Sequence, residues 1–158
     1  MRKLLLVAAV ALVFFVTGSA KQNGVTKLPE SWKQLDAGYF TVYAPATWAF
    51  RKMQGIDSDV GAFVGDGTLL EFDYGHYSNP LSGEKEPTYV VSEEKVGGRP
   101  ARIVSPRIPG HGVTGIYFPD VGETNALNIS ARDLSESQQK TALTIFRTIR
   151  FRPTLPRR

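Results

Sequence analysis

The segment Glu71-Phe72-Asp73-Tyr74-Gly75-His76-Tyr77-Ser78 gathers carboxylates, phenols and an imidazole in one short stretch. Imidazole titrates near neutrality, and a nearby carboxylate can orient it, so this combination suits polar ligand binding or acid–base work. Asp73, Tyr74, His76 and Tyr77 are therefore the candidate ligand-binding residues. The same residues also have a plain structural reading, with Phe72 and Tyr74 in a core and Asp73 and His76 capping a turn. The only other histidine is His111, and there is no cysteine. A zinc site would thus need both histidines and a carboxylate converging from separate loops. Neither H-E-x-x-H nor G-x-S-x-G occurs, which removes the common zinc-protease and esterase signatures. No residues are assigned as catalytic.

Three other patterns carry possible chemistry. Asp57-Ser58-Asp59-Val60-Gly61 opens like a calcium loop, but the twelfth position, which should hold a bidentate acid, is Thr68. Asp57, Asp59 and Asp66 remain as candidate metal ligands gathered loosely around a cation. Gly110-His111-Gly112-Val113-Thr114-Gly115 matches G-x-G-x-x-G in letters. A proline-bounded loop precedes it and an apolar strand pattern follows, the wrong context for a pyrophosphate cradle. Arg150, Arg152, Arg157 and Arg158 form a basic C-terminal end that suits contact with an anionic surface. Phe151 is its only aromatic residue, so specific nucleic-acid binding is not expected. No cofactor is expected.

These groups must be positioned by a chain of 158 residues, 42% hydrophobic and 22% charged, a composition that fits one globular domain. Its beginning reads as an address. Arg2 and Lys3 precede an apolar run from Leu4 to Val16, then Thr17-Gly18-Ser19-Ala20 places small residues before a cut after Ala20. The run is shorter than the roughly 20 residues of a spanning helix. Residues 1–20 are thus expected to be a signal peptide, leaving an exported protein, periplasmic or extracellular, with no transmembrane anchor once it is cleaved. Removing them lowers Lys+Arg from 19 to 17 against 15 Asp+Glu. The basic character therefore lies mainly in the signal and the arginine tail, not in a binding face.

Along the mature chain, residues 21–30 read as a flexible leader. Period-two alternation dominates after that. Strands are predicted at Tyr39–Tyr43, Gly61–Val64 and Thr68–Tyr74, the last two joined by Asp66-Gly67. Gly97-Gly98 joins Thr88–Val96 to Arg99–Ser105, again a two-residue primed turn. Gly115–Phe118 and Ala126–Arg132 form a further pair linked through Pro119-Asp120-Val121-Gly122. The period then changes. Ser135 and Gln138 make a capping box, and Ala142, Leu143, Ile145, Phe146 and Ile149 recur at helical spacing. Thr148–Arg152 is a final strand, and 153–158 a basic tail. The order argues α+β: a single domain of mostly antiparallel sheet flanked by helices, with a C-terminal amphipathic helix and a last strand.

Several stretches in order resemble the PsbP-like superfamily. They are Trp32, Gly38-Tyr39-Phe40-Thr41-Val42-Tyr43-Ala44-Pro45 with Trp48, the Val96-Gly97-Gly98-Arg99-Pro100-Ala101 hairpin, and Leu134-Ser135-Glu136-Ser137-Gln138-Gln139 running into Ile145-Phe146-Arg147-Thr148-Ile149-Arg150-Phe151. The resemblance covers residues 31–152 and implies an antiparallel sheet sandwiched between helices. It also implies action by binding other proteins rather than by catalysis, though fold likeness transfers no partner. The expectation is a monomeric, non-enzymatic binding or assembly protein of the cell envelope, its partner contacting a sheet edge or the 75–87 loop. The alternative is a small-ligand-binding protein or hydrolase using the 71–78 segment.

Overall fold

Two glycine-bearing turns set the registers of the fold, and both stand where the sequence places them. In the computed structural model the described residues are 28–152; the expected signal peptide (1–20), residues 21–27 of the expected leader, and residues 153–158 with Arg157 and Arg158 lie outside them. The elements in chain order are β1 (Trp32–Asp36), β2 (Phe40–Pro45), β3 (Ala49–Lys52), β4 (Asp59–Gly65) and β5 (Thr68–Gly75). They continue with β6 (Tyr89–Val96), β7 (Arg99–Pro106), β8 (Val113–Gly122), β9 (Asn125–Arg132), α1 (Glu136–Arg147) and β10 (Arg150–Phe151). Asp66 and Gly67 have φ of 50° and 69° between paired Gly65 and Thr68. Gly97 and Gly98 have φ of 57° and 86° between Val96 and Arg99. Positive φ at both central residues matches the strand twist of a tight hairpin.

The strands form a small sheet ordered β1-β2-β10 and a seven-stranded sheet ordered β3-β4-β5-β9-β8-β7-β6. Every pairing is antiparallel. Helix α1 and the small sheet pack on one face of the large sheet. Phe40 of β2 meets Phe63 and Phe72 edge-on, at centroid distances of 6.0 and 5.2 Å, an arrangement favoured by the ring quadrupoles. Ala142, Ile145 and Phe146 join Ile116, Phe118, Leu127 and Ile129 in the same buried core. The helix starts at the expected capping box: Gln138 N donates to Ser135 Oγ at 3.4 Å, and Ser135 N to Gln138 Oε1 at 3.0 Å. Among the described residues no helix is long and apolar enough to cross a membrane.

Two expectations need correction, and two strands lie where none was predicted. The β8–β9 link is not Pro119–Gly122. Strand β8 runs on to Gly122 through a register shift after Phe118, and the turn is Glu123-Thr124, with φ of 52° and 64°. A bulge tolerates Pro119, which has no amide to give to the ladder, and non-glycine residues in the left-handed region leave no glycine signal. Strands β1 and β3 were not expected: β1 buries only Leu35 and β3 buries no residue, so neither alternates clearly. Finally, the described residues contain one helix rather than helices flanking the sheet. The outer face of the large sheet is instead crossed by the segment 76–88.

Candidate functional site

Strand alternation separates the residues of the 71–78 segment. Tyr74 faces the small sheet, its ring stacked on Tyr39 with centroids 4.1 Å apart and planes 9° apart. Burial raises the Tyr74 phenol pKa. Asp73 faces the opposite side, beside Asn128 of β9 and Val60 of β4; its Oδ1 is buried without a hydrogen-bond partner. His76 sits over the β8–β9 turn with Nδ1 3.0 Å from Thr124 O. A carbonyl only accepts, so this nitrogen carries the proton. Tyr77 is 83% exposed and touches the His76 ring edge-on at 4.7 Å. Of the four candidates, only His76 and Tyr77 meet each other, and none of the four lines the grooves that contain Glu71, Tyr117 or Trp48.

The metal candidates are likewise apart. Asp59 begins β4 and Asp66 follows its end, a separation of about 20 Å along a seven-residue strand. Asp59 accepts hydrogen bonds from Lys52 and from Tyr39 Oη, the latter at 2.5 Å. Together these hold its carboxyl below the usual range, while the same bond raises the Tyr39 phenol. Asp66 accepts from Trp48 Nε1 at 2.9 Å and Thr47 Oγ1 at 3.2 Å, tying the hairpin turn to the core. Asp57 is exposed in the preceding loop. Among the described residues no three acids or histidines are grouped to hold a metal ion. The glycine-rich match is a loop whose amides serve the fold: Gly110 N donates to Leu134 O and Gly112 N to Asp133 Oδ1, both at 2.7 Å. Arg150 donates to Ile149 O at 2.8 Å, and Arg152 pairs with Asp36.

The 75–87 loop and Asp73 were legible in the sequence as candidates, but not the row of polar groups that the register sets beneath that loop on the outer face of the large sheet. The register lays Asp73, Asn128, Tyr117, Arg102 and Glu93 in one row across β5, β9, β8, β7 and β6. Above this row runs the 76–88 strap. Asn128 Nδ2 donates to Asn79 O at 2.7 Å. Arg102 donates from Nε to Leu81 O at 3.3 Å, from Nη2 to Glu84 O at 3.0 Å and from Nη1 to Glu93 Oε1 at 3.2 Å. Arg107 Nε holds the far end through Pro87 O at 2.8 Å. Arginine's fixed fork makes such multiple contacts from one side chain.

Leu81 is the strap's apolar anchor, 2% exposed against Val104 and Val113. It fits because Gly115 lies beneath it: a Cβ there would stand 2.8 Å from Leu81 Cδ1. The strap leaves a groove on each side. One, of about 420 Å³, lies over β5 and β9 and includes Glu71, Ser130 and Arg132. The other, of about 440 Å³, lies over β7 and β8 and includes Glu93, Arg102 and Tyr117. The signal was the polar alternation of Asn128, Ser130 and Arg132, which reads as a solvent face until the register sets it beside Arg102 and Glu71. No protein-family model, curated protein or solved structure matches the chain.

Proposed function

We propose that the protein is an exported, non-enzymatic binding or assembly module of the cell envelope, PsbP-like in plan, which meets its partner through the strapped outer face of the large sheet. The observation that carries this reading is the strap itself. A loop of this length normally moves, yet this one is held by Arg102, Arg107, Asn128 and the buried Leu81. Ordering it in advance lowers the entropy cost of recognition. The chemically capable side chains of the 71–78 segment are spread over two faces, an arrangement that suits a scaffold better than an acid–base site.

The test uses the full chain expressed with its own leader and recovered from the envelope fraction. The mature product should begin at Lys21. A defined envelope component should co-purify with the wild-type protein and be lost when exposed groups on the strap are reversed in S82E/K85E, with the melting temperature unchanged. Undiminished recovery with this variant would remove the strapped face from the reading, and an intact Met1 would remove export.

A further inference from the structure

The β5–β9 groove contains an unusual pair. Glu71 lies opposite Ser130 in the ladder, and Arg132 follows two residues beyond Ser130 on the same face. Diagonal neighbours of this kind stand about 7–8 Å apart, within mutual reach of a glutamate and an arginine. They nevertheless form no ion pair, and among the described residues neither side chain has a hydrogen-bond partner. Both line one groove with the Ser130 hydroxyl between them. That hydroxyl donates to Asn128 Oδ1 at 2.9 Å, leaving its lone pairs to accept. Leu81 and Val113 give the groove an apolar wall, and two further carboxylates line it, Glu84 of the strap and Asp133, which accepts from Gly112 N.

We propose that this groove binds a zwitterionic ligand, a free α-amino acid or the free end of a short peptide, with its ammonium on Glu71 and its carboxylate on Arg132. This rests on the reading of the strapped face as a binding surface, and it names a ligand class for one of its two grooves. A carboxylate matches the planar fork of arginine in bidentate fashion. An ammonium suits Glu71 and the accepting Ser130 oxygen. About 420 Å³ is in the range of small-molecule sites. Glu84 adds negative charge, so a basic side chain is preferred over an acidic one.

The test is an amide-shift titration of the full mature chain at low salt with L-lysine, lysyl-lysine, Nα-acetyl-lysine, lysinamide and L-glutamate. Lysine or its dipeptide should give saturable shifts centred on Glu71, Leu81 and Ser130. Blocking either the amine or the carboxylate should weaken binding at least about tenfold. E71Q should abolish discrimination against the acetylated probe and R132Q discrimination against the amide; both positions are exposed, so folding is kept. If free lysine binds and the dipeptide does not, the ligand is the amino acid; the reverse identifies a peptide end. Absence of saturable shifts at about 10 mM, or equal affinity for blocked and free probes, would overturn the assignment. Envelope-partner recovery by the same E71Q and R132Q proteins separates that failure from failure of the strapped face as a whole.

Discussion

Gly115 shows how one residue without a side chain shapes the outer face. Its missing Cβ is the space that Leu81 fills, and Ser130 Cβ stands 3.1 Å from the same point. A valine there must push aside the strap's apolar anchor. G115V is expected to destabilise the protein by about 1–3 kcal/mol and to speed amide exchange across 78–88 ahead of the rest of the chain. Uniform exchange would contradict this. At the same scale, Glu94 takes two bonds from Arg147, at 3.0 and 2.8 Å, joining β6 to α1. The guanidinium holds the Glu94 carboxyl below its ordinary range. With the folded pKa depressed, the pair's contribution is complete above the ordinary carboxylate pKa and is lost as pH falls through the folded value. The pair is largely solvent-screened, so E94Q should cost at most about 0.5 kcal/mol at pH 7 and nothing near pH 3. Urea unfolding at both pH values checks it; a gap independent of pH would contradict the assignment.

Among the elements, legibility followed local chemistry. Asp66-Gly67, Gly97-Gly98 and the Ser135–Gln138 box each carry their instruction within a few residues, and each was readable. S135A should therefore cost about 1 kcal/mol, seen as a lower urea midpoint at unchanged slope; no shift would mean the box is ornamental. Strands β1 and β3 were not readable, because their partners β2 and β4 supply the hydrogen bonds and their own side chains stay mostly outside the core. Pro119 was misread for a related reason, since a bulge in β8 resolves the conflict that the sequence poses. The candidate site was the least legible part. Asp73, Tyr74, His76 and Tyr77 are neighbours in sequence, whereas Asp73, Asn128, Tyr117 and Arg102 are brought into one row only by strand order.

For the whole molecule, the two faces of the large sheet are covered differently. One face is closed by α1 and the small sheet over a core of Phe40, Phe63, Phe118, Ile145 and Phe146, and this is the stabilising side. The other carries the polar row through Arg102 beside a small cluster of Leu81, Val104 and Val113, is crossed by a strap that two arginines hold, and is open on either side. That asymmetry supports a module that recognises with one face and is stabilised by the other. The most direct test is photo-crosslinking in the intact envelope, with the reactive group placed at Ser82 or Tyr117 on the strapped face and at Glu136 or Lys140 on the helix. The account predicts one discrete adduct from the first pair and none from the second; adducts from the helix positions alone, or equally from both faces, would contradict it.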